Sequence, residues 1–275
     1  MKADYYRYLS KLGPVAFSRG LPYARCVEYP EVISRLQLRP SDVLLDVGSR
    51  YAPLPQILAL RYGCTVHAVD PEPDFREKQL AMTRKVPAAE ALRQAGKLEF
   101  RVADAADLEY PDASFTRISV ISVLEHILDE GPVIDELVRV LAPGGQLVIS
   151  VPFDPWRDEP RYHRRNVYVS GTESETSFYM RYYSMENLNE RLIEPSGLAL
   201  ASLDTFGEPW LNAHNLVFGN PRIPWYVRRI LFQPLAPLLA PLLIRPLPPE
   251  RFRRKTKMYT ADVAVLVLVK PERAA

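Results

Sequence analysis

"VLLDVGSRYAP", from Val43 to Pro53, decides how the rest of the chain is interpreted. An apolar run ends in Asp46 and Gly48 and the chain then turns, which is how a nucleotide-binding strand and loop usually begin. Arg50 and Ala52 stand where such a loop would carry further glycines. Two interpretations follow: a cofactor-binding loop with few glycines, or an ordinary buried strand followed by a turn.

Strand-like and helix-like segments alternate after this stretch. Short apolar runs rich in valine, isoleucine and leucine are separated by longer segments whose apolar residues recur at helical spacing. Predicted strands cover residues 43–47, 64–70, 97–104, 115–122 and 145–152, and predicted helices cover residues 54–63, 73–95 and 132–141. This alternation predicts an α/β fold, a doubly wound parallel sheet with helices on both faces.

Composition indicates a globular protein. The 275 residues are 47% hydrophobic and 25% charged, and the net charge of +2 gives no reason to expect a nucleic acid partner. Cys26 and Cys64 are the two cysteines, which argues against a disulfide framework and for a reducing compartment. The first residues lack the apolar core of a signal peptide, so we expect a cytoplasmic protein. No His, Cys, Asp and Glu cluster has metal-ligand spacing, and we predict no metal site.

The first three predicted strands each end in an aspartate: Asp46, Asp70 and Asp104. The carboxyl ends of parallel strands meet at one edge of a sheet, where ligands bind. A buried, unpaired carboxylate is costly, so packing gives no reason for this pattern. The alternative for any one of them is a helix N-cap. Asp70 follows Asp46 by 24 residues, close to the spacing of about 20 expected for an acid that binds a ribose diol.

In their order and spacing these segments resemble a known family. The stretches that carry the resemblance lie between about residues 40 and 153, and they are LLDVGS, VHAVDPE, FRVADAADLEYPDASFTRISVISVLEHI and LVRVLAPGGQLVISVPF. They are similar to the class I S-adenosylmethionine-dependent methyltransferases, in particular the broad small-molecule, methyltransferase type 11-like group. The resemblance implies S-adenosyl-L-methionine (SAM) as the cofactor and methyl transfer as the activity.

The resemblance also implies roles for individual residues. Asp70 would hold the ribose hydroxyls, with Pro71 beside the adenine. Asp104 and Ala105 would meet the adenine amino group, and Ser122 would line the floor under the sulfonium. The positions that would border the methionine part of the cofactor are Asp46, Val47 and Gly48.

The fold that the resemblance implies is a Rossmann-like, doubly wound sheet of seven strands, mostly parallel with an antiparallel last strand. Residues 198–206 and 261–270 would form the last two strands. We therefore expect three parts: an N-terminal helical cap, residues 1–40; a methyltransferase domain, residues 41–206 and 259–272; and an apolar and basic insertion, residues 207–258.

Two histidines are candidates for a general base, which methyl transfer needs only where the acceptor is not already acidic or anionic. His126 follows the fourth strand and His163 lies beyond the fifth. The alternatives are a structural, site-lining role for His126 and a solvated loop position for His163. The arginines and tyrosines near His163 would suit a phosphate or carboxylate on the acceptor, or would be solvated. From the family's usual chemistry we expect transfer to oxygen of a small-molecule acceptor. A lipid-linked acceptor would follow if residues 223–257 lie on a membrane.

The insertion has an unusual centre. Its apolar stretch, Ile230–Ile244, contains three prolines and is shorter than the roughly 20 residues that span a bilayer. Leucines beside Trp225 and Tyr226, with a basic fringe, suit an anionic membrane surface. Residues 223–257 would then hold the protein on the inner face of the membrane. The alternative is an arm packed on the body of the protein or in a homodimer.

Two rival functions fit parts of the sequence. A catalytically inactive methyltransferase-like scaffold, or a membrane-associated binding protein, would keep the fold and use the insertion. A dinucleotide-dependent oxidoreductase would also have an acid after its second strand. It requires the glycine-rich loop that is missing here, and Asp46 beside Gly48 would repel a pyrophosphate.

Overall fold

The computed structural model describes residues 1–156, 161–163, 177–210, 212–218, 220, 222–252 and 261–272. The strands in this part of the chain are numbered in chain order. They are β1 Val43–Val47, β2 Thr65–Asp70, β3 Leu98–Val102, β4 Phe115–Ile121, β5 Leu141–Pro152, β6 Arg161–His163, β7 Ser177–Met180, β8 Ala199–Gly207, β9 Arg245–Pro246 and β10 Val263–Val269.

The main sheet has the order β3-β2-β1-β4-β5-β10-β8-β9, and β6 and β7 form a separate antiparallel pair. Strands β1 to β5 are parallel, whereas β10 runs antiparallel to both β5 and β8. The chain order reverses between β1 and β4, and a crevice opens at the carboxyl ends of the strands at such a point. The predicted doubly wound, mostly parallel sheet with an antiparallel last strand is confirmed.

The strand count differs from the prediction, because this sheet has eight strands where seven were expected. The additional strand, β9, has two residues and pairs antiparallel with Phe206 and Gly207 at the end of β8. A segment this short, with proline in it, has no alternation of apolar and polar residues that would predict a strand. The backbone N–H of Leu247 also donates to the carbonyl of Thr205 at 2.9 Å. The predicted insertion is thereby attached to the edge of the sheet.

The α-helices are α1 Lys2–Leu12, α2 Pro14–Arg19, α3 Arg25–Leu36, α4 Leu54–Tyr62, α5 Phe75–Arg84, α6 Pro87–Gln94, α7 Gly131–Val140, α8 Met185–Leu188, α9 Glu194–Ser196, α10 Trp225–Val227 and α11 Ala236–Leu243. The helical segment 73–95, for which an interruption near Pro87 is predicted, forms two helices, and Pro87 is the first residue of the second. Proline is favoured there because its missing N–H would have no partner in the first turn.

Helices cover both faces of the sheet, as predicted, and each face has its own hydrophobic core. Successive residues of β1 illustrate this: Leu44 packs into one core and Leu45 into the other, because side chains alternate across a strand. The first core includes residues of α1, α3, α4 and α11, and the second includes residues of α7. A strand buried on both faces is apolar throughout, which is why β1 was recognisable from the sequence.

Helix α3 connects the N-terminal segment to the carboxyl ends of the strands. Its apolar residues Val32, Ile33 and Leu36 are buried in the first core. Its first turn lies at the end of β4, where Arg25 donates a hydrogen bond to Ser122 at 2.6 Å. The N-terminal segment therefore contributes side chains to the edge of the sheet at which a ligand would bind.

The segment from Trp225 to Leu243 packs with one side on the body. Ala236, Ala240 and Ile244 are buried in the first core, whereas leucines at 231, 235, 238 and 242 are exposed. These leucines follow one another by four, three and four residues, which is the spacing of one helical face. Within the described ranges, no helix combines the length and the apolar character needed to cross a bilayer.

Candidate functional site

A cavity of about 770 Å³ lies at the carboxyl ends of β1 to β4, and we call it the strand-end cavity. Its volume falls in the range of small-molecule and cofactor sites. Nine of the predicted site residues line it: Asp46, Val47, Gly48, Asp70, Pro71, Asp104, Ala105, Ser122 and His126. The three aspartates, which are separated by up to 58 positions in the chain, are therefore parts of one wall.

Asp46, at the end of β1, is buried, and only one of its two carboxylate oxygens accepts a hydrogen bond from a described residue. Ser119 on the neighbouring strand donates a hydrogen bond to its Oδ1 at 2.6 Å. No described residue donates to Oδ2. Burial raises the pKa of Asp46 to about 6, although the hydrogen bond from Ser119 acts in the opposite direction. A buried carboxylate oxygen without a donor suits a ligand that brings its own N–H or O–H group.

Gly48 is required by the geometry of the loop. Its φ of 76° is left-handed, and an added Cβ would lie 2.3 Å from Cγ2 of Val123. The N–H of Gly48 donates to the carbonyl of Val69 at 2.8 Å, which fixes the loop against β2. Any side chain here would therefore strain the backbone and collide with Val123, which follows Ser122 after β4.

The loop keeps its turn without its other glycines. Arg50 has a φ of 45°, the left-handed conformation that glycine adopts most easily. In this conformation its backbone N–H donates to Oδ2 of Asp70 at 2.8 Å. Its side chain is half exposed and lies 3.7 Å from a carboxylate oxygen of Glu72. An arginine thus occupies a glycine-like conformation in the wall of the cavity.

The other two carboxylates differ in their surroundings. Asp70 accepts backbone hydrogen bonds from Arg50 and from Glu72, the latter at 3.1 Å. Burial raises the pKa of Asp70, and these two hydrogen bonds act against that rise. Asp104 is exposed, and its Oδ1 accepts from the N–H of Ala106 at 3.0 Å. Each carboxylate is held in place by backbone donors, and each retains acceptor capacity for a ligand.

Helix α3 supplies site residues that the sequence did not indicate. Arg25 and Tyr29 line the strand-end cavity, and Arg25 forms an ion pair with Glu28 one turn on. Glu28 is buried, and its Oε1 accepts hydrogen bonds from Ser122 at 2.7 Å and Ser150 at 2.6 Å. One feature of the sequence could have indicated Glu28: it lies four residues before Val32, on the apolar face of the helix. An unpaired charge is costly at such a position.

His126 lines the cavity with a defined tautomer. Its Nδ1 lies 2.8 Å from the carbonyl oxygen of Tyr179. A carbonyl only accepts, so Nδ1 carries the hydrogen and Nε2 is the basic nitrogen. Burial lowers the pKa of His126 below its usual value, which favours the neutral ring at neutral pH. His126 as a general base stays a prediction with compatible geometry.

The region after β5 is described only in part. The backbone of His163, the other candidate base, belongs to β6, and its side chain lies outside the described residues, as do Arg157, Arg164 and Arg165. Arg181 is buried and pairs with Glu130 at 2.9 Å. Its charge is therefore compensated within the protein. Within the described ranges, no three His, Cys, Asp or Glu side chains are arranged to hold a metal ion.

Comparison with known proteins agrees with this geometry. Residues 45–149, which contain β2 to β4 and most of β1 and β5, match the family model described as a methyltransferase domain. The chain contains a class I methyltransferase domain. This methyltransferase domain includes Asp46, Asp70, Asp104 and His126, whereas Arg25 and Glu28 precede it.

Two curated relatives and one solved structure are similar to this chain. Methyltransferase GfsG of Streptomyces halstedii is 33% identical over 120 residues, which are 44% of this chain and 41% of the relative. The ubiquinone/menaquinone biosynthesis C-methyltransferase UbiE of Hydrogenovibrio crunogenus is 29% identical over 112 residues, 41% of this chain and 42% of the relative. A SAM-dependent methyltransferase structure from Methanosarcina mazei has a TM-score of 0.58 at 17% identity, covering 89% of this chain and 99% of that one.

These matches leave the acceptor open. The chain spans less than half of the length of the curated relatives it matches. Other matched relatives are named as O-methyltransferases and N-methyltransferases. The acceptor atom therefore differs among the matched relatives.

Proposed function

We propose that this protein binds SAM in the strand-end cavity and transfers its methyl group to an acceptor. The observation that carries the proposal is the wall of three strand-end aspartates, in which Oδ2 of Asp46 has no donor among the described residues. An inactive scaffold would have no need to keep a buried, unpaired carboxylate, because such a group costs about 1–3 kcal/mol in stability.

The donor set fits the cofactor's groups. Asp46 would accept a hydrogen bond from the α-ammonium group through Oδ2, and the missing Cβ of Gly48 would allow the methionine part to approach the backbone. Asp70, fixed by the N–H groups of Arg50 and Glu72, would accept from the ribose hydroxyls. Asp104 and Ala105 would meet the adenine, with Pro71 against its ring.

When bound, SAM supplies a methyl group on a positively charged sulfur. The protein's part is to hold the acceptor in line with that methyl group and to exclude water. Ser122, at the end of β4, would form the floor beneath the reacting atoms. Nε2 of His126 would accept a proton from an acceptor that enters from the strand-end cavity.

We propose oxygen as the acceptor atom and a small-molecule or lipid-linked acceptor. The lipid-linked alternative is supported by the surface around α10 and α11, which we call the arm surface: Trp225, Tyr226, Ile230, Leu231, Leu235, Leu238 and Leu242, all exposed. No acidic residue occurs in the sequence between Glu208 and Glu250, whereas arginines occur at 222, 228, 229 and 245. An apolar face with an exclusively basic fringe is complementary to an anionic membrane surface.

Calorimetric titration with S-adenosylhomocysteine tests cofactor binding. The wild-type protein should bind it, and Asp70→Ala should weaken binding by about tenfold or more through the loss of ribose hydrogen bonds. The matched control is Asp135→Ala, which removes an exposed aspartate on α7 outside the cavity. Absence of binding by the wild type, or equal affinities of the two variants, would contradict the proposal. Transfer of labelled methyl from SAM into a cell extract would then separate an enzyme from a scaffold.

Flotation with phosphatidylglycerol-containing vesicles tests the arm surface. Leu242→Glu should release the protein from the vesicles, because it places a negative charge on this surface. Leu128→Glu is the control, since Leu128 and Leu242 are each 59% exposed and Leu128 lies outside the arm surface. Failure of the wild-type protein to float at low salt would remove the membrane interpretation. A concentration-dependent dimer that Leu242→Glu dissociates would favour the homodimer instead.

A further inference from the structure

A second cavity of about 300 Å³ lies beside the strand-end cavity, and we call it the side cavity. Arg25 and Ser122 line both cavities, so the two cavities meet at these two side chains. Apart from Glu125, the other lining residues come from parts of the chain outside the methyltransferase-domain match, including Tyr23, Phe218 and Gln233. The variable part of the protein thus meets the end of β4 at this point.

Side chains at the junction of the two cavities are held by a network of hydrogen bonds. Ser122 has a φ of 50°, a left-handed conformation that is uncommon for a serine. Its hydroxyl accepts from Arg25 and donates to Glu28, whose Oε1 also accepts from Ser150 on β5. Strained backbone of this kind persists where surrounding contacts determine it, and it is concentrated at ligand sites.

Glu125, in the wall of the side cavity, is a buried carboxyl group with one oxygen that accepts no hydrogen bond from a described residue. Only 3% of its surface is exposed, and no described residue donates a hydrogen bond to its Oε2. Burial raises the pKa of Glu125 to about 8; the charge of Glu28 acts in the same direction, and that of Arg25 opposes it. Glu125 is therefore mostly protonated at neutral pH, and its carboxylate form, which can accept a proton, becomes abundant at mildly alkaline pH.

The side cavity has a clear preference of charge. Its lining contains three carboxyl groups, Glu28, Glu125 and Asp262, each less than 5% exposed, and one histidine, His214; Glu125 adds its negative charge only as pH approaches 8. Arg25 is the arginine in its lining, and Glu28 already pairs with it. An anionic group here would meet repulsion, whereas a hydroxyl or an amine would find acceptors.

We propose that the side cavity binds the part of the acceptor that receives the methyl group, as a non-anionic O–H or N–H group, and that Oε2 of Glu125, in place of Nε2 of His126, accepts its proton. This inference rests on the proposed methyl transfer and names the chemistry of the acceptor. The lone pair of the acceptor oxygen or nitrogen forms the bond to the methyl carbon as the bond from that carbon to sulfur breaks. The electron pair of that bond stays on sulfur, and the proton of the acceptor passes to Glu125.

Binding of small probes tests this without knowledge of the natural acceptor. Benzyl alcohol, benzylamine and benzoate have the same ring and differ in the polar group. Saturation-transfer NMR on protein loaded with S-adenosylhomocysteine should detect the alcohol and the amine at about 10 mM or below, a range typical of fragments this small. Benzoate should bind at least about fivefold more weakly because of the carboxylates in the lining.

Two variants locate the probes. Ala261→Leu adds bulk to a residue that lines the side cavity, and it should abolish binding of both probes. Glu125→Met keeps most of the side-chain volume and removes the acceptor oxygen, and it should weaken both probes by about fivefold or more. Glu109→Met makes the same change at an exposed position and should have no effect. A different loss for alcohol and amine would assign the acceptor atom.

Three outcomes would overturn the inference: no probe binding, benzoate binding as tightly as benzyl alcohol, or wild-type probe affinity in either Glu125→Met or Ala261→Leu. Calorimetry with S-adenosylhomocysteine on each variant confirms that the strand-end cavity is intact. If the wild type fails to bind S-adenosylhomocysteine, the proposed function fails instead, and that result is separate from the probe measurement.

Discussion

Replacement of Glu125 by glutamine should change how the stability of the protein depends on pH. The carboxyl group is buried, and its pKa is raised from 4.5 to about 8, chiefly by burial. Between these two values the folded state retains the proton that the unfolded state has released. The free energy of unfolding of the wild type therefore falls as pH rises, until the folded group itself ionises near pH 8.

The size of this effect follows from the two pKa values. One unit of pKa difference corresponds to about 1.4 kcal/mol, so between pH 6 and pH 8 the wild type should lose about 2 kcal/mol of stability through Glu125. Asp46 has a pKa of about 6. Most of the change in stability that its ionisation causes therefore occurs below pH 6, outside this window. The charged or titratable groups that interact with Glu125 are Arg25, Glu28, His126 and Tyr183, and Glu125→Gln retains all of them.

Urea unfolding at pH 6, 7 and 8 measures the difference. The free energy of unfolding of Glu125→Gln should decline by about 2 kcal/mol less than that of the wild type across this range. Glu109→Gln, an exposed glutamate changed in the same way, should follow the wild type. Equal declines in wild type and Glu125→Gln would refute the argument that Glu125 is protonated in the folded protein at neutral pH.

Three further predictions concern the end of β1 and the loop after it. Gly48→Ala should destabilise the protein by about 2–4 kcal/mol and abolish S-adenosylhomocysteine binding, because it combines a left-handed φ with a Cβ placed 2.3 Å from Val123; urea unfolding and calorimetry check this, and a stable variant that binds normally would contradict it. Arg50→Gly should change stability by less than about 1 kcal/mol, since relief of the left-handed strain is offset by the greater chain entropy of glycine; a larger loss in urea unfolding would indicate that the arginine side chain stabilises the loop. Asp46→Asn should weaken S-adenosylhomocysteine binding by about tenfold or more. The wild type should bind more tightly as Asp46 ionises near pH 6, and the variant should lose this increase in affinity. If calorimetry gives the same pH profile for both proteins, Asp46 takes no part in cofactor binding.

The sequence by itself determined the α/β fold and one wall of the site. Strands buried on both faces must be apolar throughout, and carboxylates at their ends have no packing reason to be there, so β1, β2 and β3 with Asp46, Asp70 and Asp104 are visible in the local pattern. The loop after β1 was also recognisable, because Gly48 follows the strand directly.

Only the tertiary structure decided what faces that wall. Arg25 and Glu28 meet Ser122 across 97 and 94 positions of sequence, and local periodicity contains no information about which distant helix reaches the end of β4. The conformation of Arg50, the tautomer of His126 and the compensated charge of Arg181 likewise depend on neighbours that the fold supplies. Side-chain identity sets what a group can do chemically, whereas burial and partners set which of those properties it retains, and these arise only once the chain is folded.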